Sequence, residues 1–419
     1  AGWEPYPLSR RIVNWVQWSL RGQELAPACR QSLAVQARWL SGRLEYHLLG
    51  NHLLVNAKAL MHAGLYFAGA EAERWYARGL DILARQLPEQ VLADGGHFER
   101  SPMYHAAALE DLLDLVNLLQ AYGREPPAPW RATMAPMRRW LGVMTHPDGD
   151  IAFFNDAAFD IAARPAELEA YALRLGLGAM PGTPEALVVL QPSGYVRGRS
   201  AAAYLVCDCA PVGPDYLPAH AHADTLSFEL SLYGRRLLVN SGTSQYGTDG
   251  ERQRQRGTAA HNTILVEDAD SSEVWAGFRM ARRARAHLTL ARAGAQALEI
   301  AASHDGYRRL PGRNEHHRHW RLEAQGLSIE DHVSGTFASA RAHFHLHPQF
   351  SARAVGADAV LLSGADGVQA RLLVEGAARL EVAPSSWHPR FGVREANACV
   401  IAHLAGPTLR TRLVWQSAP

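Results

Sequence analysis

Residues 220–240 hold the stretch that decides the fold of the second half of the chain: His-Ala-His-Ala-Asp-Thr-Leu-Ser-Phe-Glu-Leu-Ser-Leu-Tyr-Gly-Arg-Arg-Leu-Leu-Val-Asn. Residues 226–232 form an apolar run of strand length, residues 233–235 supply a glycine turn, and residues 236–240 return as a second run. Two such runs around a short glycine turn predict an antiparallel β-hairpin. The hairpin would bring the 240 region back beside residues 222 and 224.

The same stretch begins with polar side chains at alternate positions. His220, His222 and Asp224 are separated by single alanines, so an extended strand would project all three from one face. Two imidazoles and a carboxylate on one face suit proton transfer or metal binding. We therefore expect the chemistry of the protein to involve these residues.

The chain changes character between residues 180 and 195. Before that point apolar residues recur at helical spacing, as in the stripe of Leu109, Leu112 and Val116, which predicts several helices in a bundle or toroid. After it, short alternating runs separated by turns predict a large antiparallel β-sandwich. The predicted fold class is α+β, with a helical domain over residues 1–185 and a β-sandwich domain over residues 190–419.

Composition excludes several classes of function. The chain has 42 basic and 41 acidic residues, so its overall charge gives no reason to expect nucleic acid or an acidic membrane surface as a partner. No apolar run approaches the roughly 20 residues that a membrane span requires. The four cysteines make no disulfide framework, and Cys207 and Cys209 are predicted to be buried apolar residues. The oligomeric state is left open.

Two polar clusters in the helical half exceed what helix capping requires. One is Asn51-His52 at the start of a predicted helix, where Asn51 is also a natural N-cap. The other runs over residues 95–105 as Gly-Gly-His-Phe-Glu-Arg-Ser-Pro-Met-Tyr-His. Together with residues 220–224 they predict an active site between the two domains.

In order and spacing these segments resemble the heparinase II/III-like polysaccharide lyases. The resemblance rests on five segments: Asn51-His52, residues 95–105, His220-Ala-His222-Ala-Asp224, Asn240-Ser-Gly-Thr243 and Ala260-His261-Asn-Thr263. It implies an incomplete (α/α) toroid followed by an antiparallel β-sandwich. It also implies that a periplasmic or secreted protein cleaves an acidic, uronic-acid-containing polysaccharide by β-elimination, without an organic cofactor.

The resemblance assigns catalytic roles to four residues. β-Elimination removes the weakly acidic proton beside a uronate carboxylate and expels the glycosidic oxygen from the next carbon. The site must therefore neutralise the carboxylate, supply a base and protonate the leaving oxygen. Asn51 would bind the carboxylate, and Tyr104 would protonate the leaving oxygen and is also a candidate base. His52 and His220 are candidates for the base or for neutralising the carboxylate.

The resemblance also implies a structural zinc ion held by a histidine, an aspartate and a histidine, which fall here on His222, Asn240 and His261. An amide oxygen is a weaker zinc ligand than a carboxylate. Asp224 shares the predicted strand face of His222 and is a candidate to compensate. The other interpretation is a metal-free bridge, in which Asn240 and His261 join two strands by hydrogen bonds.

Four further residues are predicted to contact substrate, namely Glu99, His105, Tyr246 and Arg256. Arginine suits carboxylate and sulfate groups because its planar fork donates two parallel hydrogen bonds. Arg256 ends an alternating run of three arginines, at least two of which are expected in a solvated loop.

Other polar residues are weaker candidates for the site. Asn155-Asp156 suits a helix cap as well as a cleft. The alternating histidines of residues 343–347 are predicted to form a partly buried strand stripe, because no acid accompanies them. The histidines of residues 316–319 are expected at the surface of a strand.

Two other classes of function compete with a lyase. A non-catalytic protein that binds acidic polysaccharide would keep an aromatic and arginine surface but would not need Asn51-His52 or Tyr104-His105. A glycoside hydrolase would need two carboxylates flanking the bond, and the acids near these clusters form no clear pair. Glycosaminoglycan, alginate and bacterial exopolysaccharide all remain candidate substrates.

Overall fold

A computed structural model describes residues 2–180, 182–365 and 367–416. The chain divides into two compact units. The first comprises Ala1–Phe98, Ala107–Arg138 and Glu167–Met180. The second comprises Glu99–Ala106, Arg139–Ala166 and Pro181–Pro419, so two short segments of the predicted helical domain belong to the β-rich unit.

The first unit is built from helices, as the apolar spacing predicts. Helices α1 and α2 each begin with proline, whose fixed φ and missing N–H suit the first helical turn. The first turn of α5 and the end of α6 belong to the second unit. The helices of the described chain before the sheets are α1 (Pro5–Leu20), α2 (Pro27–Ser41), α3 (Gly50–Tyr66), α4 (Ala70–Gln90), α5 (Pro102–Ala121), α6 (Ala128–Val143) and α7 (Pro165–Arg174).

The second unit contains the strands and one further helix. The helix is α8 (Gly250–Arg256). The strands are β1 (Leu187–Leu190), β2 (Tyr195–Arg199), β3 (Ala203–Asp208), β4 (Phe228–Leu232), β5 (Arg235–Leu238), β6 (Ile264–Val266), β7 (Glu273–Trp275), β8 (Arg279–Ala281), β9 (Ala286–Ala293), β10 (Leu298–His304), β11 (His316–Glu323), β12 (Gly326–Val333), β13 (Ala340–His345), β14 (Phe350–Ala354), β15 (Ala359–Gly364), β16 (Gln369–Glu375), β17 (Ala377–Trp387), β18 (Glu395–Leu404) and β19 (Thr408–Trp415).

These strands pair antiparallel in four sheets. A five-stranded sheet has the order β1-β2-β3-β4-β5, and an eight-stranded sheet has the order β14-β15-β16-β19-β12-β11-β10-β9. A four-stranded sheet follows the order β17-β18-β13-β6, and β7 and β8 form a separate two-stranded hairpin. One hydrophobic core is shared by the three larger sheets, as in a β-sandwich.

Strand β3 explains why residues 139–166 join this unit. Its side chains are buried on both faces, and alternation divides them between two cores. Leu205 and Cys207 lie in the shared core of the sheets, whereas Val206 packs in a second core with Trp140 and Phe154. The apolar segment around Trp140 is thus needed to cover the outer face of the five-stranded sheet.

The predicted hairpin is confirmed as β4 and β5, but the strand predicted over residues 220–224 is wrong. These residues lie in an irregular loop, because their backbone hydrogen bonds are made with other loop residues and with the last residue of α8 rather than with a neighbouring strand. The solvated loop expected over residues 251–256 is also wrong, since it is α8 with Arg252 and Arg256 fully buried.

The structural interpretation of the two histidine groups is partly confirmed. His343 and His345 are buried on β13, as expected of a structural stripe. His316 is not the surface residue that was expected, because it is buried and its Nε2 lies 2.7 Å from Asp331 Oδ1. Among the described residues, no helix combines the length and apolarity needed to cross a membrane.

Candidate active site

Asp156 lies at the centre of the polar cluster in the second unit. Its side chain is fully buried, and its two oxygens accept hydrogen bonds from several groups. His222 Nε2 lies 2.8 Å from Oδ1, His220 Nδ1 lies 2.9 Å from Oδ2, and Thr243 Oγ1 lies 3.1 Å from Oδ1. The Arg252 guanidinium donates to both oxygens, at 2.8 Å for Nη2 to Oδ2. We call these five residues the Asp156 network.

The network fixes the protonation of its members. Burial alone would raise the pKa of Asp156, but Arg252 and the hydrogen bonds from the two histidines hold it well below its usual value. A carboxylate only accepts hydrogen bonds, so His220 Nδ1 and His222 Nε2 must each carry a proton toward Asp156. In a neutral ring, the lone pair would then lie on His220 Nε2 and on His222 Nδ1.

Asn155 organises the loop that carries these histidines. Its backbone adopts φ 57°, a left-handed conformation that asparagine tolerates. The Asn155 side chain accepts from His222 N at 3.1 Å and donates to Arg100 O at 3.0 Å, while its own N–H donates to Asp224 Oδ2 at 2.9 Å. The next residue's N–H donates to His220 O at 2.9 Å. These bonds replace the strand ladder that the alternating sequence predicted.

Tyr104 and Tyr246 are partly exposed and lie beside His220, the partly exposed member of the network. The Tyr104 and Tyr246 hydroxyls are 2.7 Å apart, and the Tyr104 ring lies 4.1 Å from the His220 ring between centroids. Arg252 lies over the Tyr246 ring at 5.1 Å. The site therefore offers two phenols and one imidazole at its surface and fixes them from behind by a buried ion pair.

Tyr104 is held as a neutral phenol. Burial raises its pKa well above the usual value, and the Tyr246 hydroxyl and the Asp156 charge raise it further. Burial and Asp156 likewise raise the pKa of Tyr246 well above its usual value. Glu99 is itself buried, and its charge adds to both effects. A neutral phenol beside a lone-pair imidazole nitrogen is an acid–base pair ready for proton transfer.

His222 also belongs to a second cluster, which lies on the side of its ring away from Asp156. His222, Asp224 and His261 are all buried, and one ligand atom from each lies within 4.8 Å of the others. His222 Nδ1 and His261 Nε2 are 3.3 Å apart. Burial raises the pKa of Asp224 and lowers that of His261 well below its usual value.

The structure gives Asn240 a different environment from the ligand role that the sequence suggested. Its Nδ2 donates to Phe153 O at 2.8 Å, and its Oδ1 accepts from Asn262 N at 3.3 Å. Its backbone N–H donates to Glu229 Oε1 at 2.8 Å. The acidic residue that joins the two histidines is Asp224, the candidate that the sequence offered to compensate for Asn240.

Asn51 and His52 belong to the first unit. Asn51 lies in the first turn of α3, which begins at Gly50, so it is not the N-cap residue. His52 Nδ1 lies 3.1 Å from Glu45 Oε1, and its ring is 4.7 Å from the Tyr6 ring. Their predicted catalytic roles stay predictions.

Two residues expected to bind substrate have other tasks in the structure. His105 is fully buried, with its ring 4.3 Å from the Trp140 ring. Arg256 is fully buried and donates to the carbonyl oxygens of Ala221 and Ala276. Both side chains are fully buried, so neither presents a surface to a polymer in this structure.

Sequence reasoning missed the two residues that hold the network together, Asp156 and Arg252. The sequence left Asp156 open between a helix cap and a cleft residue, and Arg252 looked like one of three equivalent loop arginines. A helical interpretation of residues 250–256 would have placed Arg252 and Arg256 four residues apart on one buried face. The partner of Arg252 is 96 residues distant in sequence, so no local pattern identifies it.

Comparisons with known proteins agree with this architecture. A family model described as "Heparinase II/III-like, C-terminal" matches residues 182–416, and one described as "Heparinase II/III N-terminus" matches residues 28–172. A heparin-sulfate lyase of Bacteroides stercoris is 28% identical over 249 residues, which are 53% of this chain and 36% of that protein. The FtsZ-localized protein C of Caulobacter vibrioides is 28% identical over 411 residues, which are 92% of this chain and 68% of that protein.

A solved heparinase III structure has the same fold. It matches with a TM-score of 0.84 at 17% identity, over 99% of this chain and 70% of that one. The likeness confirms the predicted fold class, an α-helical toroid domain followed by an antiparallel β-sandwich. The chain spans only about a third of the length of the Bacteroides stercoris lyase.

Proposed function

Because the chain belongs to the heparinase II/III-like family, we propose that it is a polysaccharide lyase that cleaves a uronic-acid-containing polysaccharide by β-elimination. The observation that carries the proposal is the pairing of the Tyr104 and Tyr246 hydroxyls beside the His220 ring, with Asp156 and Arg252 holding that ring from behind. β-Elimination needs a proton donor and a proton acceptor close together, and this arrangement supplies both.

We propose separate tasks for the two surface groups. Tyr104 is the phenol that protonates the leaving glycosidic oxygen, because its raised pKa keeps its proton in place at neutral pH. His220 Nε2 is the lone-pair nitrogen that takes the proton beside the uronate carboxylate. Asp156 keeps the imidazole in this tautomer and stabilises the imidazolium that forms, as a buried carboxylate does beside a catalytic histidine.

The substrate carboxylate must also be neutralised, since the proton beside an ionised carboxylate is very weakly acidic. We propose Asn51 and His52 for this role on the resemblance of the Asn51-His52 segment to the family pattern. Loss of carboxylate neutralisation would raise the barrier to proton abstraction, whereas loss of Tyr104 would mainly raise the barrier to departure of the leaving group. Variants of Asn51 and His52 therefore test a different step from variants of Tyr104.

The first test replaces Tyr104 with phenylalanine. We expect Tyr104→Phe to lower turnover about 10²–10⁴-fold, because it removes the general acid and little else. The assay follows the ultraviolet absorbance of the unsaturated uronate that only elimination makes, over a panel of glycosaminoglycans, alginates and bacterial exopolysaccharides. Mass spectrometry of the products then identifies the substrate.

Tyr171→Phe is the matched control. It removes a hydroxyl that donates to Asp114 Oδ1 at 2.9 Å in the first unit, outside the proposed site. The control should keep wild-type turnover. Cleavage at the wild-type rate by Tyr104→Phe would overturn the role of Tyr104. New reducing ends without the absorbing product would show that the protein is a hydrolase and not a lyase.

We also propose a structural zinc ion held by His222, Asp224 and His261. The residues fit zinc, because nitrogen ligands about 2.0–2.1 Å from a tetrahedral centre stand about 3.3 Å apart, and the two facing imidazole nitrogens are separated by 3.3 Å. His222 Nε2 donates to Asp156, the outer contact that zinc-bound histidines usually make. When bound, zinc would supply positive charge to a buried carboxyl and link two loops of the second unit.

Metal analysis tests this proposal directly. Protein purified without added zinc should contain about one zinc ion per chain, and Asp224→Asn should lose most of it because a buried carboxylate ligand is removed. Asn240→Ser is the matched variant, since it also alters a buried polar residue near the histidines, and it should keep the metal. A zinc content near zero in the wild-type protein would favour the metal-free hydrogen-bonded bridge.

One observation favours a second function. The relative that matches 92% of the chain is named for its localisation with FtsZ rather than for an activity. The alternative is a family member that serves as a binding protein and does not turn over polysaccharide. Cell fractionation distinguishes the lyase from the binding protein. A lyase that acts on external polymers would be periplasmic or secreted, whereas a partner of FtsZ must lie in the same compartment as FtsZ.

A further inference from the structure

The hairpin formed by β7 and β8 carries exposed aromatic side chains, and one of them, Phe278, adjoins the proposed catalytic groups. Trp275 is 55% exposed at the end of β7, and Phe278 is 40% exposed in the turn just before β8. Large aromatic side chains on a two-stranded hairpin contribute little to a core when they face solvent, so their position calls for a partner outside the chain.

Helix α8 holds the tip of this hairpin firmly. Arg252 Nε donates to Gly277 O at 3.0 Å, Gln253 Nε2 donates to Ala276 O at 2.5 Å, and Arg256 Nη1 donates to Ala276 O at 3.2 Å. Gly277 also packs closely on another loop, because a Cβ atom there would lie 2.9 Å from Gly247 O. The aromatic side chains are thus exposed on a rigid support.

The hairpin contacts the groups assigned to proton transfer. The Phe278 ring lies 5.3 Å from the Tyr246 ring and 5.7 Å from the His220 ring between centroids. Arg252 lies 5.5 Å from the Phe278 ring while it also binds Asp156. A sugar unit lying on Phe278 would therefore adjoin the unit on which the acid and base act.

The hairpin also carries a positive charge suited to an acidic ligand. Arg279 is directly opposite Trp275 across the hairpin, so both side chains lie on the same face. Arg279 is exposed, and within the described part of the chain no ion pair or hydrogen bond involves its guanidinium. Trp275 and Arg279 therefore share one face of the hairpin, while Phe278 lies in the turn that joins its two strands, beside the proposed catalytic groups.

We infer that Trp275, Phe278 and Arg279 form a binding platform for an anionic sugar unit of the polysaccharide, next to the unit that is cleaved. The aromatic rings stack on the C–H face of the pyranose, and the arginine pairs with its carboxylate or sulfate group. The inference rests on the proposed lyase function for its place in the reaction, but binding to the platform does not require turnover.

The effect on kinetics should differ from that of a catalytic residue. The platform holds the neighbouring sugar equally in the ground state and in the transition state, so its loss raises KM more than it lowers kcat. We expect Phe278→Ala and Trp275→Ala each to raise KM about 10-fold. Arg279→Ala should do so for the anion it recognises. Comparison of heparan sulfate with the same polymer after removal of its sulfate groups tells whether that anion is carboxylate or sulfate.

The chain offers matched controls on other surfaces. Trp18→Ala removes a tryptophan that is also 55% exposed, on α1 of the first unit. Arg353→Ala removes an exposed arginine on β14. Each variant is measured for kcat and KM in the active protein and for binding of the same polysaccharides by calorimetry in the Tyr104→Phe background, with circular dichroism to verify folding.

Four outcomes are informative. Selective loss of affinity in the three hairpin variants supports the platform. Cleavage with unchanged KM in all three overturns it and leaves the lyase function intact. Binding without cleavage by the wild-type protein, lost in the hairpin variants, supports the platform and overturns the lyase. The absence of both binding and cleavage overturns the platform together with the function on which its place rests.

Discussion

At the scale of single residues, the ion pair between Asp156 and Arg252 has the largest consequences. Both side chains are fully buried, and the carboxylate also anchors His220 and His222. Removal of one partner from a buried ion pair leaves an uncompensated buried charge. The resulting loss of stability is far larger than the net stabilisation that the intact pair provides relative to two apolar residues. The stability of the second unit and the orientation of the base thus depend on the same contact.

Arg252→Ala is expected to lower the free energy of unfolding by about 3–5 kcal/mol and to abolish turnover. Arg252→Lys keeps the charge but not the planar fork, so its effects should be intermediate. Urea denaturation and the elimination assay measure the two consequences.

Arg38→Ala is the matched control for this ion pair. Arg38 also binds a carboxylate with two nitrogens, Nε to Glu71 Oε1 at 2.7 Å and Nη2 to Oε2 at 2.5 Å, but the pair is exposed to solvent. Its loss should change stability only slightly, because solvent screens an exposed ion pair. Equal effects of Arg252→Ala and Arg38→Ala would contradict the central place given to the buried pair.

At the scale of elements, α3 and α4 of the first unit approach closely through glycine. A Cβ atom on Gly79 of α4 would lie 2.7 Å from Ala57 O and 2.7 Å from Met61 Cγ of α3. Helix propensity alone favours alanine over glycine by about 1 kcal/mol. The close approach opposes that gain, because the backbone of α3 cannot move away without disturbing its buried side chains.

Gly79→Ala is therefore expected to destabilise the protein by about 1–3 kcal/mol. Gly142→Ala in α6 should stabilise it by about 0.5–1 kcal/mol, since no atom lies within 4 Å of the added methyl group. Urea denaturation of both variants gives the comparison. Equal stabilisation by the two substitutions would show that α3 and α4 are less closely packed than described.

At the scale of the whole molecule, buried histidines link stability to pH. Burial lowers the pKa of His62 to about 4, that of His343 to about 3 and that of His345 to about 4. The unfolded chain binds protons on these groups near pH 6.5, whereas the folded protein does not. Their contribution to stability is therefore complete above about pH 6.5 and is lost as the pH falls toward 4.

Below pH 6.5, each of these histidines should lower the free energy of unfolding by up to about 1.4 kcal/mol for every pH unit. Denaturation curves between pH 7 and pH 5 measure how steeply the free energy of unfolding falls with pH. In His343→Gln this slope should be smaller by the contribution of one proton. Phe344→Leu on the same strand should lower stability equally at every pH, because it removes packing and no titrating group. An unchanged slope in His343→Gln would contradict the lowered pKa of His343.

Local patterns were sufficient to predict much of this molecule. The alternation and the glycine turn of residues 226–240 predict the β4–β5 hairpin, and the stripe through Leu109 and Val116 predicts α5, because both depend on spacing along the chain. The same spacing led to an error at residues 220–224. Alternation there predicts a strand, but no neighbouring strand pairs with it, and Asn155 supplies the hydrogen bonds instead.

The sequence by itself determined the fold class, the family and the identity of Tyr104 and His220 as candidate proton-transfer groups, since these follow from residue type, order and spacing. Only the tertiary structure decided which groups surround them. Asp156, Arg252 and Phe278 meet at this site from segments far apart in the chain. The physical reason is that burial of charge and approach of side chains depend on packing between distant segments, which no periodicity encodes.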